Sequence, residues 1–417
     1  MRLLLIFFFT IITFQIQAQS KPDYLKIHRY DVRDASFSFP ETDFKIIGFG
    51  AYHGSVKTEE ASLNLLKALT KEGKIKYYFP ETDYSTAHYY NTYLKTGNEA
   101  LLKDLVYHSG VTVPQERTIE VYEKWKQLKA LNDALPKEKQ LTVVGVDIIM
   151  TYKYSIQHIL SLLKEEGHTF PAVKELKKTL KNPDTDFVSY YDSSGKLAVK
   201  TFVTDVDTRP ETYRKVINDH KIFDHILKNI RTTLGVFSGK REATIFNNYL
   251  ALNEVYDFEE NPQFMRIGFA HLEKEREGKS ASFFTQLIEK GVYKREEVIS
   301  VIGYLTQSEV LWDQVYDEEG NYTGYTKEAG FGIGDYEDEY FRGIQHLKDT
   351  KISDMTLFQL NGANTPYSNN EPDLIEVIMK SEPSNGKLVA GKSTTAFLDY
   401  AILISDSEAS VPIEEME

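Results

Sequence analysis

The amino-acid sequence predicts an α/β fold, in which a largely parallel β-sheet is flanked by helices and carries a helical insertion. Seven apolar runs of strand length recur along the chain. They lack the alternation of apolar and polar residues that marks a strand with one solvated face. Segments with helical periodicity lie between the first of these runs, which is typical of a parallel sheet. Residues 152–256 interrupt this rhythm with long helical patterns.

The predicted strands are short and rich in β-branched residues. They cover residues 44–49, 75–79, 141–146, 265–269, 298–302, 355–360 and 398–404. Because runs of this kind are covered on both faces, we expect helices on each side of the sheet.

Two helices are predicted between the early strands. Thr58 is a suitable N-cap for the first, since Glu59 and Glu60 follow in its opening turn, and Gly73 lies near its end. The second covers residues 118–135 and stops before Pro136, with apolar residues on roughly one face.

The chain is predicted to divide into a core in two halves and one insertion. The first half of the core covers residues 19–151, a helical insertion or lid covers 152–256, and the second half covers 257–417. Residues 316–340 are rich in Gly, Asp and Tyr, and they predict a long surface loop.

The first 18 residues have the pattern of a secretory signal peptide. Arg2 precedes an apolar stretch from Leu3 to Phe14, and the predicted cut follows Ala18. About a dozen apolar residues are too few for a membrane-spanning helix, which needs roughly 20. The chain has no cysteine, so we expect neither a lipoprotein nor a disulfide. The prediction is a secreted or periplasmic protein.

The net charge of the chain indicates which classes of binding partner are disfavoured. The sequence holds 62 acidic and 49 basic residues, a formal net charge of -13. This disfavours nucleic acid and anionic membrane surfaces. We therefore expect a small-molecule substrate, and the sequence makes no prediction about the oligomeric state.

Four predicted strands end at a titratable side chain. The residues are His53, Glu81, Asp147 and His271. Ligands of open α/β sheets bind at the carboxyl ends of the strands, so these side chains are expected around one crevice. Two imidazoles and two carboxylates suit general acid–base catalysis or a metal site.

Each of the four residues also has a structural interpretation. His53 is of the type that packs or caps, and Glu81 is a suitable carboxylate for a helix start. Asp147 is a suitable cap for the following segment. His271 is of the type whose ring bonds a backbone carbonyl. Their joint position at strand ends favours function.

The motifs resemble the erythromycin esterase-like family, from about Lys45 to Pro412. The resemblance rests on, in chain order, GAYHG, the glutamate of FPETDYSTAHYYNTYLKTG, RTIEVYEKWKQLKALN, VVGVD, REATIFNNYLALNEVY, MRIGFAH and LDYAILISDSEASVPI.

This resemblance implies an α/β hydrolase-like core with a helical insertion. It implies that His53 is a general base that activates water, assisted by Glu81 and by the later His271. Arg117 and Arg241 match arginines near the starts of the family's helices, where a positive side chain suits an oxyanion or a substrate carboxylate. Asp147 is assigned to substrate binding at the rim.

Two positions depart from the family's pattern. Ala51 stands where an acid is common, and Lys274 stands where a second histidine is common. If His53 needs a carboxylate to set its tautomer, Glu81 or Asp147 is expected to supply it.

The leading hypothesis is a secreted hydrolase that acts on an ester or related carbonyl. The alternative is a catalytically degenerate ligand-binding protein on the same fold, for haem or another small molecule, because the wider superfamily includes proteins that resemble haem-uptake factors. No cofactor or metal site is predicted, although a divalent metal among the four strand-end residues is left open. Serine and cysteine nucleophiles are disfavoured by the lack of a Gly-x-Ser-x-Gly motif and of any cysteine.

Overall fold

A computed structural model describes residues 19–40, 43–71, 73–110, 113–235, 241–329 and 334–416. The predicted signal peptide, residues 1–18, lies outside these ranges. Within them, none of the helices has both the length and the hydropathy needed to cross a bilayer.

The central feature of the molecule is an eight-stranded, mostly parallel sheet. The strands of the described ranges are β1 (Arg29–Asp31), β2 (Ile46–Gly50), β3 (Tyr77–Pro80), β4 (Thr142–Val143), β5 (Gln263–Arg266), β6 (Val298–Thr306), β7 (Val310–Tyr316), β8 (Tyr322–Glu328), β9 (Glu339–Phe341), β10 (Met355–Gln359), β11 (Val377–Met379) and β12 (Tyr400–Ser405). The sheet order is β1-β10-β12-β6-β2-β5-β3-β4. All neighbours from β12 to β4 are parallel, whereas β10 and β1 are antiparallel.

Helices surround this sheet. In the described ranges they are α1 (Lys21–Ile27), α2 (Val56–Lys71), α3 (Tyr84–Thr96), α4 (Glu99–Ser109), α5 (Ile119–Asp133), α6 (Tyr152–Ser161), α7 (Pro171–Lys181), α8 (Ser194–Thr208), α9 (Pro210–Val216), α10 (His220–Leu234), α11 (Arg241–Tyr256), α12 (Phe283–Glu289), α13 (Ile344–Thr350), α14 (Gly386–Val389) and α15 (Thr394–Phe397). Short 3-10 helices include Pro114–Glu116 and Phe269–His271. The predicted α/β class is confirmed.

Each of the predicted strand segments contains a strand, and two of the strands end well before the predicted boundary. The run 141–146 yields only β4, because beyond Val144 the chain turns towards the loop after β3, where the Asp147 N–H donates to the Thr82 carbonyl at 3.1 Å. The run 265–269 ends as a strand at Arg266, and a 3-10 turn follows. The helix α2 begins at Val56, so the prediction of Thr58 as its cap is wrong.

The prediction of a long loop at 316–340 is also wrong in part, and residues 330–333 of that segment lie outside the described ranges. Residues 322–328 form β8, which pairs antiparallel with β7. The Asp317 side chain and backbone bond Asn321, and Gly320 adopts a φ of +83°. The Gly- and Asp-rich stretch is thus the turn of a hairpin, which a compositional pattern does not distinguish from a loop.

Three hydrophobic clusters organise the described residues. One face of the sheet packs against α2, α3, α4 and α5, and the other packs against α11 and α12. Helices α6 to α10 share a third cluster of their own. Since α11 packs on the sheet through Ile245, Phe246, Tyr249 and Leu252, its first residue, Arg241, meets the carboxyl ends of the central strands.

Candidate active site

His53 follows β2, a strand in which every residue is buried. A Cβ on Gly50 would lie 2.5 Å from the Phe269 Cα, so the turn after β5 packs directly on the end of β2. Gly54 has a φ of +81° and lies against the Leu311 carbonyl, which favours glycine at this position. The chain therefore turns sharply on either side of His53 and holds its ring at the end of the sheet.

Two carboxylates flank the His53 ring. Nδ1 contacts Oε1 of Glu116, and Nε2 lies 3.5 Å from Oε2 of Glu81. Burial lowers the pKa of His53, but the charge and hydrogen bond of Glu116 and the charge of Glu81 outweigh it, so the pKa is raised above 6.5. The pair of carboxylates therefore favours the imidazolium form.

Sequence reasoning missed Glu116. It lies at the end of the 3-10 helix Pro114–Glu116, where no strand-end pattern marks it. The one signal for it is its place beside Arg117, which the family resemblance selects.

Glu81 links His53 to a second cation. Its Oε1 accepts from Arg241 Nη2 at 2.5 Å, and its Oε2 accepts from the Gly268 N–H at 2.9 Å. Burial alone raises the pKa of Glu81, but the positive charges of His53, Arg241 and His271 outweigh it and the pKa is lowered. Glu81 is therefore ionised across the neutral pH range.

Asp147 pairs with Arg241 and not with His53. Arg241 Nε donates to Oδ1 at 3.0 Å, and Nη2 donates to Oδ2 at 2.5 Å, a bidentate geometry. The Asp147 side chain is buried, and the Ile148 N–H also donates to it. Despite burial, the two carboxylates raise the pKa of Arg241. The guanidinium thus joins Glu81 and Asp147.

His271 lies in the 3-10 turn that follows β5. Its Nδ1 contacts Oε1 of Glu242, the second residue of α11. Burial lowers the pKa of His271, but the hydrogen bond and charge of Glu242 outweigh it, so the pKa is raised. Sequence reasoning missed Glu242 as well, although it directly follows Arg241.

Arg117 is not part of this group. Its guanidinium contacts Glu414 and stacks 3.4 Å from the ring centroid of Tyr107. The Ile413 N–H donates to its carbonyl at 3.0 Å. Arg117 therefore anchors the C-terminal segment beside the turn that carries Glu116.

Three further charged side chains, Glu59, Lys124 and Arg266, form buried ion pairs close to His53. Lys124 Nζ contacts Oε2 of Glu59, and Arg266 Nη2 lies 3.3 Å from Oε1 of the same carboxylate. All three side chains are buried. Together with His53 and Glu116, Lys124 and Arg266 line a narrow cavity of about 70 Å³, which is room for a few water molecules. Glu81, Asp147 and Arg241 line it too.

The two departures from the family's pattern have structural explanations. Ala51 is fully buried. A Cβ added to Gly303 would lie only 2.6 Å from the Ala51 Cβ, so the backbone is closely packed around Ala51. The carboxylate expected beside His53 comes instead from Glu116. Lys274 forms a separate buried ion pair, in which Nζ lies 2.8 Å from both carboxylate oxygens of Asp399.

In the part of the chain that the structure describes, no group of three or more His, Asp or Glu side chains is arranged to hold a metal ion. The cations of the site are instead Arg241, Arg266 and Lys124, each in contact with a carboxylate. The arrangement is therefore a network of ion pairs around one imidazole.

No protein-family model matches this chain, and no curated protein sequence matches it. Solved structures do match. A protein from Bacillus cereus has a TM-score of 0.59 at 14% identity, with 94% of this chain and 98% of that chain covered. A succinoglycan biosynthesis protein also has a TM-score of 0.59, at 13% identity, with 94% and 97% covered.

A third match is a mutant of the erythromycin esterase EreC in its open conformation. The TM-score is 0.55 at 12% identity, with 88% of this chain and 92% of that chain covered. The chain shares the fold of this esterase. At 12–14% identity, the similarity is one of fold.

Proposed function

We propose that this protein is a hydrolase of the erythromycin esterase-like type, in which His53 activates water against an ester or related carbonyl. The proposal rests on one observation above all: His53 lines a cavity at the carboxyl end of a central strand, with a carboxylate on each ring nitrogen. A histidine oriented by a carboxylate is the usual arrangement of a general base.

Glu116 sets the tautomer of His53 in this proposal. When His53 is neutral, a proton on Nδ1 is donated to Glu116, and Nε2 is left as the acceptor. Nε2 takes a proton from a water molecule in the cavity while the water oxygen bonds to the carbonyl carbon. Glu116 and Glu81 then stabilise the imidazolium that forms.

The remaining groups hold the substrate and finish the reaction. Collapse of the tetrahedral oxyanion breaks the bond to the leaving oxygen, which takes a proton from the imidazolium of His53 or His271. Asp147 and Glu81 fix the Arg241 guanidinium at the cavity wall, where its charge favours a developing oxyanion. Arg117 acts indirectly, since it holds the segment next to Glu116.

The direct test compares rates of hydrolysis on aryl esters and lactones for the wild-type protein and two variants. His53→Ala is expected to lower kcat/KM by roughly 100-fold or more, because general bases contribute rate factors of that size. His220→Ala is the matched control, since His220 is exposed at the start of α10, and it is expected to keep the wild-type rate.

Equal rates for wild type and His53→Ala would remove His53 from the chemistry. A wild-type protein without hydrolytic activity that shifts the Soret band of haemin, with the shift lost in His53→Ala or His271→Ala, would instead support the ligand-binding alternative.

We further propose that the mature protein begins after Ala18 and resides in the periplasm or outside the cell, on the basis of the pattern in residues 1–18. An intact-mass measurement on the protein from its native host tests this. A mass that includes residues 1–18 would contradict it.

A further inference from the structure

A second cavity lies next to the charged one, on the other side of the turn that carries His271. Its volume is about 450 Å³, which is within the range of small-molecule sites. Phe269 and Ala270 of the turn line it, and so does Tyr52, the neighbour of His53. None of the described residues lines both cavities. The two are therefore separate sites at the same end of the sheet.

Aromatic rings form much of its wall. The rings of Phe269 and Phe341 are edge-to-face with centroids 6.4 Å apart, and those of Tyr304 and Phe341 are edge-to-face at 4.9 Å. Tyr52 and Phe397 also line the cavity. Ring faces carry a partial negative charge, so a wall of this kind attracts a cation as well as apolar groups.

Every charged side chain among the described lining residues is a carboxylate. These are Glu273, Glu277 and Glu339, with no lysine, arginine or histidine among the described lining residues. One oxygen of Glu277 accepts from Asn385 at 2.8 Å. The Glu273 carboxylate makes no hydrogen bond or ion pair with the described residues. Glu273 and Glu277 thus bring two carboxyl groups to the cavity wall, and neither forms an ion pair with the described residues.

The nearest cation is engaged elsewhere. Lys392 Nζ bonds the Glu275 carboxylate at 3.3 Å and the carbonyl of Arg276, and it lies 5.4 Å from the ring centroid of Phe397. Burial, with the charge of Glu277 added, raises the pKa of Glu273 to about 8, and Lys392 offsets this only in part. A positive group inside the cavity would supply the missing partner.

We propose that this cavity binds a small organic cation, in which an ammonium group lies beside Glu273 and Glu277 and an apolar or aromatic body packs on Phe269, Tyr304 and Phe341. The charge of the carboxylates selects the cation, and the rings contribute both apolar contact and cation–π attraction. The site does not depend on the hydrolytic role of His53, because it shares no lining residue with the charged cavity.

Isothermal titration calorimetry on the purified protein at about pH 9, above the raised pKa of Glu273, tests the proposal with benzyltrimethylammonium as the probe. Benzyl alcohol and benzoate are the neutral and anionic comparisons. The wild-type protein is expected to bind the cation and to bind the other two at least about 10-fold more weakly, since one lost charge-assisted contact corresponds to roughly that factor. Glu273→Gln is expected to weaken the cation by a similar factor.

Two control variants separate this site from other effects. Glu254→Gln removes an exposed carboxylate that pairs with Lys221 and does not line the cavity, and it is expected to bind as the wild type does. His53→Ala is also expected to bind normally, so that a failure of the proposed hydrolysis leaves this result intact. Phe341→Leu tests the aromatic wall if Glu273→Gln does not fold, and it too is expected to weaken the cation.

Several results would overturn the proposal. The first is a lack of cation binding up to about 10 mM, which corresponds to negligible affinity. The second is equal binding of the cation and benzyl alcohol, and the third is unchanged cation affinity in folded Glu273→Gln. Unchanged affinity for the cation in Phe341→Leu would exclude a role of the aromatic wall in binding.

Discussion

The two cavities at the carboxyl end of the sheet differ in whether their buried carboxyl groups have cationic partners. In the charged cavity, Glu81 and Asp147 share Arg241, while Lys124 and Arg266 share Glu59. In the aromatic cavity, Glu273 has Glu277 as a charged neighbour, and the adjacent Lys392 is bound elsewhere. The pKa of Glu81 is lowered and that of Glu273 is raised, although burial acts on both in the same direction. Partners, and not burial, decide the sign of the shift.

This comparison also separates two kinds of function. Paired charges hold an imidazole, a guanidinium and their carboxylates in fixed positions, which suits the geometric demands of catalysis. Glu273, which has no cationic partner among the described residues and lies among aromatic rings, suits the proposed binding of an organic cation. The turn Phe269–His271 carries residues of both regions, since Phe269 faces the aromatic cavity and His271 pairs with Glu242.

The strongest test of the comparison removes a shared cation. Arg241→Met removes the guanidinium that Glu81 and Asp147 share in a buried site, and we expect the free energy of unfolding to fall by roughly 3 kcal/mol or more. Urea unfolding monitored by circular dichroism measures it. Arg276→Met, which breaks an exposed pair with Glu289, is the matched control and is expected to cost less than about 1 kcal/mol. Similar losses in both variants would show that the Arg241 network is not a buried one.

The next largest effect concerns the base. The raised pKa of His53 means that kcat/KM for ester hydrolysis should rise with pH and level off only above 6.5. Glu116→Gln removes the carboxylate that contributes most to this shift, so the acidic limb should move to lower pH. The plateau rate should fall at least about 10-fold, because the ring loses its orienting carboxylate. An acidic limb at the same pH in both proteins would exclude Glu116 as the partner that raises the His53 pKa.

In the aromatic cavity, removal of a carboxyl group is expected to increase the free energy of unfolding by a smaller amount. The pKa of Glu273 is raised to about 8 from 4.5, so ionisation opposes folding as the pH rises between these values. Glu273→Gln should unfold like the wild type at pH 4 and be more stable at pH 8, by an amount on the order of 1 kcal/mol. Thermal unfolding at both pH values provides the measurement. A variant less stable than wild type at pH 8 would mean that Glu273 has a stabilising partner.

The smallest effect separates the two causes of the Glu273 shift. Glu277→Gln removes the like charge but leaves the burial, which is the larger cause. The pKa of Glu273 should therefore fall while remaining above its ordinary value. A carbon-13 NMR titration of the Glu273 carboxyl follows it directly. If the pKa does not move, Glu277 is not coupled to Glu273.

The strand ends could be predicted from sequence because apolar runs without alternation mark buried parallel strands. His53, Glu81, Asp147 and His271 follow such runs. Glu116 and Glu242 could not be found in this way, because they lie in a 3-10 turn and in the first turn of a helix. Their partners are distant in the chain or depend on the packing of α11.

Individual partners were predicted less well than positions. Glu81 or Asp147 was expected beside His53. In the structure, Glu116 contacts Nδ1 of His53, Glu81 lies 3.5 Å from Nε2, and Asp147 contacts Arg241. Arg117 was assigned to the substrate, yet its guanidinium contacts Glu414. Which carboxylate an arginine or histidine meets depends on distances of a few ångströms, which periodicity does not encode.

The sequence alone determined the α/β class, the places of the buried strands along the chain and the presence of titratable residues after four of them, because burial on both faces and turn chemistry are written in local residue patterns. Tertiary structure decided which countercharge each of those residues meets, that Glu273 lies without one beside aromatic rings, and where the hairpin at 310–328 folds. The physical reason is that electrostatic interactions between buried groups are set by separation and desolvation, and both arise only when segments far apart in the chain pack together.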